Sequence, residues 1–294
     1  MDIQTLIDGV AVGALYALVA VGLGLVFGVL KLVNFAHGES ITAAAYTLAV
    51  TGSLPVAVSV LLAVVAAIAL AVLTERVAFR PLRGASPGTA LVATFAVAFT
   101  LQAVWLIVFG PDGRTADILG SLNETATSGT FALRWVTIAE LVAGAVLLGG
   151  LALLLGRTDI GLQMRAAAAD FRAARLLGVR ADRVIGLAFV LAGLAAAVVA
   201  LLLTVSRPLV TPTFGLEVTI LALVGVVVGG IDRLWTAILG GFAVGFAQAV
   251  LGDLLPAAER VFLPSFVFLL VIVVLLVRPA GLFSPLRSTS VERV

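Results

Sequence analysis

Ala11–Leu30 reads AVGALYALVAVGLGLVFGVL, twenty residues without a charge. A helix needs roughly 20 apolar residues to cross the hydrocarbon core of a bilayer. This one has no polar stripe, so it belongs in a membrane or deep in a bundle. The pattern repeats along the chain. Leu54–Leu73, Thr89–Phe109, Ile138–Leu155, Val184–Val205 and Leu263–Val277 come near the same length. Two regions differ. Ser40–Val50 is short, and Ile220–Leu251 is interrupted by Gly229, Gly230, Ile231, Asp232 and Arg233. Broken apolar segments in both halves of a chain are a feature of transporters. The expected fold is all-α: a polytopic membrane protein of eight or nine transmembrane helices with broken or re-entrant segments. It forms one membrane domain over residues 1–294.

Composition agrees. The chain is 62% hydrophobic and 12% charged, too little charge to cover a water-soluble domain of 294 residues. Cysteine is absent, which excludes disulfides, thiolate metal sites and cysteine nucleophiles. His37 is the sole histidine, so no multi-histidine metal centre or Ser–His–Asp site is expected, and no cofactor. A net charge of +2 gives no reason to expect nucleic acid. The start, Met-Asp-Ile-Gln, has no basic n-region, so the first apolar stretch reads as a retained helix.

Orientation follows the arginines. Thr74–Gly88 carries Arg76, Arg80 and Arg83. Gly156–Arg183 carries Arg157, Arg165, Arg172, Arg175, Arg180 and Arg183, and the tail carries Arg278, Arg287 and Arg293. These segments are expected in the cytoplasm. The intervening loops are poorer in basic residues and are expected outside. Nine crossings would put the N-terminus outside and the C-terminus inside; an eight-crossing arrangement with a re-entrant Phe35–Ala45 changes that parity.

Within residues 156–183, Met164–Gly178 is dense in Ala, Arg and Leu and reads as a short surface helix, with Gly178 as its stop. Met164 and Phe171 share one stripe and Arg165 and Arg172 the neighbouring one. Exposed apolar knobs beside arginines suit docking into a groove on another protein. An interfacial helix that only lies on the membrane fits the same residues.

The cytoplasmic segment 161–170, GLQMRAAAAD, followed by AARLLGV at 173–179, resembles the coupling-helix region of permeases from branched-chain amino-acid ABC importers. The resemblance covers nearly the whole chain. Val33-Asn-Phe-Ala-His-Gly-Glu39 followed by Ala45-Tyr46 resembles the family's early motif, in its LivH-type form. Glu75-Arg76 with Arg80-Pro-Leu-Arg83, Gly229-Gly230 with Ala237–Gly241 and Gly245, and Arg278-Pro-Ala-Gly-Leu-Phe283 resemble later ones in order. Departures are Ala44-Ala45-Tyr46 for the usual Gly-Ala-Tyr, Ile231-Asp232-Arg233 for smaller residues, and Gln248 for a usual acid.

The resemblance implies a permease subunit of an ATP-driven importer in the bacterial inner membrane, with branched-chain amino acids as solute. Urea, short amides or another small polar solute would fit the same family. It implies as partners a second, LivM-type permease, two LivG/LivF-type ATP-binding subunits and an extracytoplasmic amino-acid-binding protein. It carries ATPase coupling onto Met164, Arg165, Asp170, Phe171, Arg172 and Gly178. A self-sufficient secondary transporter is the competing class. The only lysine, Lys31, is followed by Leu32, so no P-loop exists here and this chain is not expected to be an enzyme.

Asn34, His37 and Glu39 are candidates for the substrate pathway. Polar groups at membrane depth are costly unless paired or facing a cavity. One reading makes residues 35–39 the unwound turn of a broken helix beside the pathway. The other is structural: Asn34 caps, Gly38 permits a bend, and His37 and Glu39 satisfy each other or loose backbone groups. Gly84-Ala-Ser-Pro-Gly88 matches the nucleophile-elbow pattern formally, but it lies in a basic loop and reads as a turn. Asn123-Glu-Thr125 is a formal glycosylation sequon in an outer loop.

Overall fold

The computed structural model describes residues 3–82, 85–128, 131–230, 233–278 and 281–283. Eleven α-helices are found among them. α1 (Ile3–Leu30) runs inward under the orientation set by the arginines, α2 (His37–Val50) returns, and α3 (Val56–Thr74) runs inward again, continuing as one π-turn over Glu75–Phe79. α4 (Pro87–Phe109) leads to an outer region. There β1 (Arg114–Thr115) and the hairpin strands β2 (Thr125–Ser128) and β3 (Phe131–Arg134) precede α5 (Trp135–Arg157). The short helices α6 (Asp159–Ala169) and α7 (Phe171–Leu176) carry the long basic loop to α8 (Ala181–Ser206). β4 (Leu209–Val210) pairs antiparallel with β1. α9 (Phe214–Gly229), α10 (Leu234–Leu254) and α11 (Leu263–Val277) complete the bundle.

Among the described residues, seven helices are long and apolar enough to cross a membrane. The other two membrane segments are short. α2, with 14 residues, spans about 21 Å and α9, with 16, about 24 Å, against a hydrocarbon core of about 30 Å. If α2 and α9 are counted as short traverses, the described residues make nine crossings, and with the arginine-rich segments inside that parity would put the N-terminus outside and the C-terminus inside. The expected interruption near Gly229–Arg233 falls between α9 and α10; Ile231 and Asp232 lie outside the described residues.

α1 is the axis. Every residue from 13 to 26 is buried, which explains why its apolar sequence has no polar face. α10 packs along it through Gly241 and Gly245: a Cβ on Gly241 would press on Ala20 and Tyr16, and one on Gly245 on Val12 and Gly13. α9 and α10 meet by backbone, since a Cβ on Gly225, Gly229 or Gly240 would collide with the facing helix. In lipid, where apolar helices gain little by leaving their surroundings, close approach through small residues is a main source of helix association. Gly24 of the Gly24/Gly28 pair follows this rule against Leu234, but a side chain at Gly28 would meet open space. Apolar side chains on the outer helices, such as Val92, Ile107, Val146, Ile272 and Leu276, point away from the bundle.

Candidate functional site

The early motif forms a turn inside the membrane. α1 ends at Leu30, and Lys31 takes a left-handed conformation at φ 55°, which turns the chain back. α2 then starts at depth: His37 lies against Gly22, where any Cβ would collide with the imidazole. Gly38 touches α9, because a Cβ there would lie 2.7 Å from the Gly215 carbonyl oxygen. Thr42 locks the contact. Its hydroxyl donates to the Gly38 carbonyl at 3.2 Å and accepts from the Gly215 amide at 3.0 Å.

All three candidate pathway residues are buried within the chain: Asn34 at 5% exposure, His37 at 2% and Glu39 at 0%. Glu39 faces α4. Gln102 Nε2 donates to Glu39 Oε1 at 3.0 Å, and Trp105 Nε1 donates to Glu39 Oε2 at 2.9 Å. Two aromatic pairs flank this clasp. Phe35 stacks on Phe95 at 3.7 Å between centroids, and Tyr46 on Phe109 at 4.0 Å. The structural alternative needs correction in detail. The α2 N-cap is Ala36, without a side-chain cap, and Asn34 contributes its backbone carbonyl to His37 N at 3.3 Å. Glu39 is satisfied by α4 and not by His37. Gly38 serves a close helix contact more than a bend. Asn34 Oδ1, His37 Nε2 and Thr219 Oγ1 are buried without a hydrogen-bond partner among the described residues.

The basic loop also differs from expectation. Met164–Gly178 is two helices. Asp170 adopts an extended conformation, and its Oδ1 accepts from Ala173 N at 2.9 Å, so it ends α6 and caps α7. Gly178, at φ 88°, stops α7 as expected. Met164 is not an exposed knob. It is buried at 3% in a cluster with Phe79, Ile185 and Phe189, and Phe171 packs partly against the same cluster. Arg165 is exposed; the Arg172 side chain lies outside the described residues. The exposed large apolar groups on this surface are Ile160, Leu162, Leu176 and Leu177, the last two at 89% and 86%. The helix-propensity reading missed them, although a double leucine before a stopping glycine was a usable sign.

The formal nucleophile elbow is a helix start. Ser86 Oγ accepts from Thr89 N at 3.2 Å, with Pro87 in the first turn of α4. The terminal motif folds onto the late glycines. Leu282 N donates to Val228 O at 2.7 Å, and Gly281, at φ 93°, lies against Gly230.

A bundle around one buried helix, with two short membrane segments and a basic loop folded against its inner end, defines a polytopic transport permease. Its sequence matches the branched-chain amino acid transport system permease component family over residues 5–277, and the chain belongs to that family. It is 32% identical over 308 residues to the high-affinity branched-chain amino acid transport system permease protein BraD of Pseudomonas aeruginosa, covering 99% of this chain and 98% of the relative. It is 32% identical over 306 residues to the permease protein LivH of Escherichia coli, covering 99% and 97%. In fold it is similar to a chain of PsaBC from Streptococcus pneumoniae, solved in complex with Fab, with a TM-score of 0.51, 15% identity and coverage of 92% and 89%. The chain is therefore the multi-pass inner-membrane permease of an ATP-driven importer. It is a transport subunit and not an enzyme, and its ATPase and substrate-binding partners are separate proteins.

Proposed function

We propose that this permease imports branched-chain amino acids, paired in the membrane with a second, LivM-type permease. It is driven by LivG/LivF-type ATP-binding subunits and supplied by an extracytoplasmic amino-acid-binding protein. The observation that carries this reading is end-to-end similarity at 32% identity to two permeases of that transport class. Urea, amides or other solutes remain outcomes of the test.

In this reading the ATPases dock on α6 and α7. Leu162, Arg165, Leu176 and Leu177 offer the contact, Asp170 and Gly178 set its shape, and Met164 and Phe171 anchor it to the bundle. Asn34, His37 and Glu39 border the pathway as a rigid wall, acting through the helices they join; their burial favours this over direct contact with solute. The test is uptake of radiolabelled leucine by the full complex in proteoliposomes, with ATP inside and binding protein outside. Uptake should require ATP and loaded binding protein. Leu176→Asp and Leu177→Asp should release the ATPases while the chain keeps its fold. Leucine uptake that survives loss of the ATPases and follows a proton or sodium gradient would overturn the assignment.

A further inference from the structure

A second polar region lies at the opposite, extracytoplasmic end of the bundle. α1, α5, α8, α9, α10 and the start of α11 surround a cavity of about 340 Å³. That is the low end of the range for small-molecule sites, about 300–1,000 Å³. Its polar lining is Asp8, Tyr16, Arg134, Glu140, Arg207 and Gln248. Leu15, Leu203 and Val218 form an apolar wall. Outer segments are otherwise poor in basic residues, yet two of their arginines converge on this opening.

The charges in the lining balance: two arginines against two carboxyl groups. The acids draw their hydrogen bonds from neutral neighbours among the described residues. Ser206 Oγ donates to Glu140 Oε1 at 3.3 Å, and Gln4 Nε2 donates to Asp8 Oδ1 at 3.2 Å. Glu140 is itself buried at 8% exposure, a costly position for an acid that serves packing alone. Gln248 Oε1 is buried without a hydrogen-bond partner among the described residues. Cations, anions and an aliphatic wall in one small cavity match a molecule that carries both charges and a short apolar side chain.

We infer that this cavity is a relay site for a zwitterionic amino acid on its way from the outer face into the membrane. Arg134 and Arg207 at the mouth receive the carboxylate. Glu140, with Asp8 beside it, receives the ammonium group. Leu15, Leu203 and Val218 cover the aliphatic side chain, and Gln248 offers an acceptor from deeper in the wall. The inference rests on the amino-acid reading of the preceding section, but not on the solute being branched.

Because the chain has no cysteine, one placed in the lining is a clean reporter. Ala249 lines the cavity. In the assembled complex, Ala249→Cys should react with a membrane-impermeant thiol reagent. Leucine should slow that reaction several-fold, whereas isopentylamine and 4-methylpentanoate, each with one of the two charges, should not. Adding Glu140→Gln or Arg207→Gln should abolish the protection. The same two variants, without the cysteine, should lower leucine uptake by about tenfold or more, the size of one lost charge-assisted contact, while loaded binding protein still stimulates ATP hydrolysis. Equal protection by all three solutes, or none by any zwitterionic amino acid, overturns the site. Protection by a different zwitterion in a complex that does not transport leucine supports the site and removes the branched-chain reading alone.

Discussion

Glu39 is the residue whose replacement separates a structural clasp from a solute contact. It accepts two hydrogen bonds from α4, at 3.0 and 2.9 Å, from a position with no exposure. α4 is otherwise a mainly outward-facing helix, held to α2 and the turn before it by this carboxyl group and the two aromatic stacks. Glu39→Gln preserves shape but replaces one acceptor oxygen with an NH2 group, which must then face a donor. One of the two bonds is lost unless the Gln102 amide turns over and offers its oxygen to that group. Interhelical bonds of this kind in membranes average about 0.6 kcal/mol and reach about 1.7. The lower figure applies where the freed donor finds another partner, the higher where it stays buried. At about 2–4 °C per kcal/mol for a chain of this order of size, the detergent-solubilised protein should melt roughly 1–7 °C lower.

Glu39→Ala loses both bonds and opens a cavity, so about 3–5 kcal/mol is expected. A thermal-shift double-mutant cycle of Glu39→Gln with Gln102→Ala measures the clasp itself. Coupling should exceed the additivity error of about 0.3–0.5 kcal/mol. Additive effects within that error would refute the clasp. An unchanged melting temperature in Glu39→Gln, with uptake abolished and the complex intact, would refute it differently, by placing the carboxyl group in contact with solute.

Gly225→Leu should lower folded yield and melting temperature sharply, because its side chain would enter the backbone of Gly240 and Gly241; Gly28→Leu, facing open space, should fold normally. Wild-type yield for Gly225→Leu in fluorescence-detected size exclusion would contradict the contact. Ser86→Cys and Ala173→Cys should resist an impermeant thiol reagent in intact cells while Asn123→Cys reacts, and labelling of Ala173→Cys would invert the orientation.

Much of the architecture is written locally. The unbroken apolarity of α1 announces a central helix, and Gly229–Arg233 marks the break between α9 and α10. The arginines of the basic loop set its expected side. What escaped depends on distant partners. Nothing near Glu39 names Gln102 or Trp105, which lie 63 and 66 residues away. A lone Gln in an apolar span was the available hint, since such a group needs a partner in the bundle. Helix periodicity points Met164 outward, but α6 folds back on α1 and α8, and that stripe becomes the inner one. The alanine-rich neighbours of Asp170 place it inside a helix. Its own habit of capping decided otherwise.

The small residues of the separate motifs form one connected path. Gly38 meets Gly215, Gly225 and Gly229 meet Gly240, and Gly281 meets Gly230. α2, α9, α10 and the terminal turn are thereby joined backbone to backbone, with α1 against two of them through Gly22 and Gly241. Contacts without flexible side chains leave little room to slide, so this set is expected to move as one body. Met164 joins the basic loop to the same body, because its cluster includes Leu25 and Val29 of α1. If the ATPases pull on α6 as proposed, packed helices would carry that motion to the turn at His37. α4 is held to that body through fewer and softer side-chain contacts, which leaves it freer to shift against it. That division gives Glu39 its importance: it sits on the boundary between the rigid body and α4.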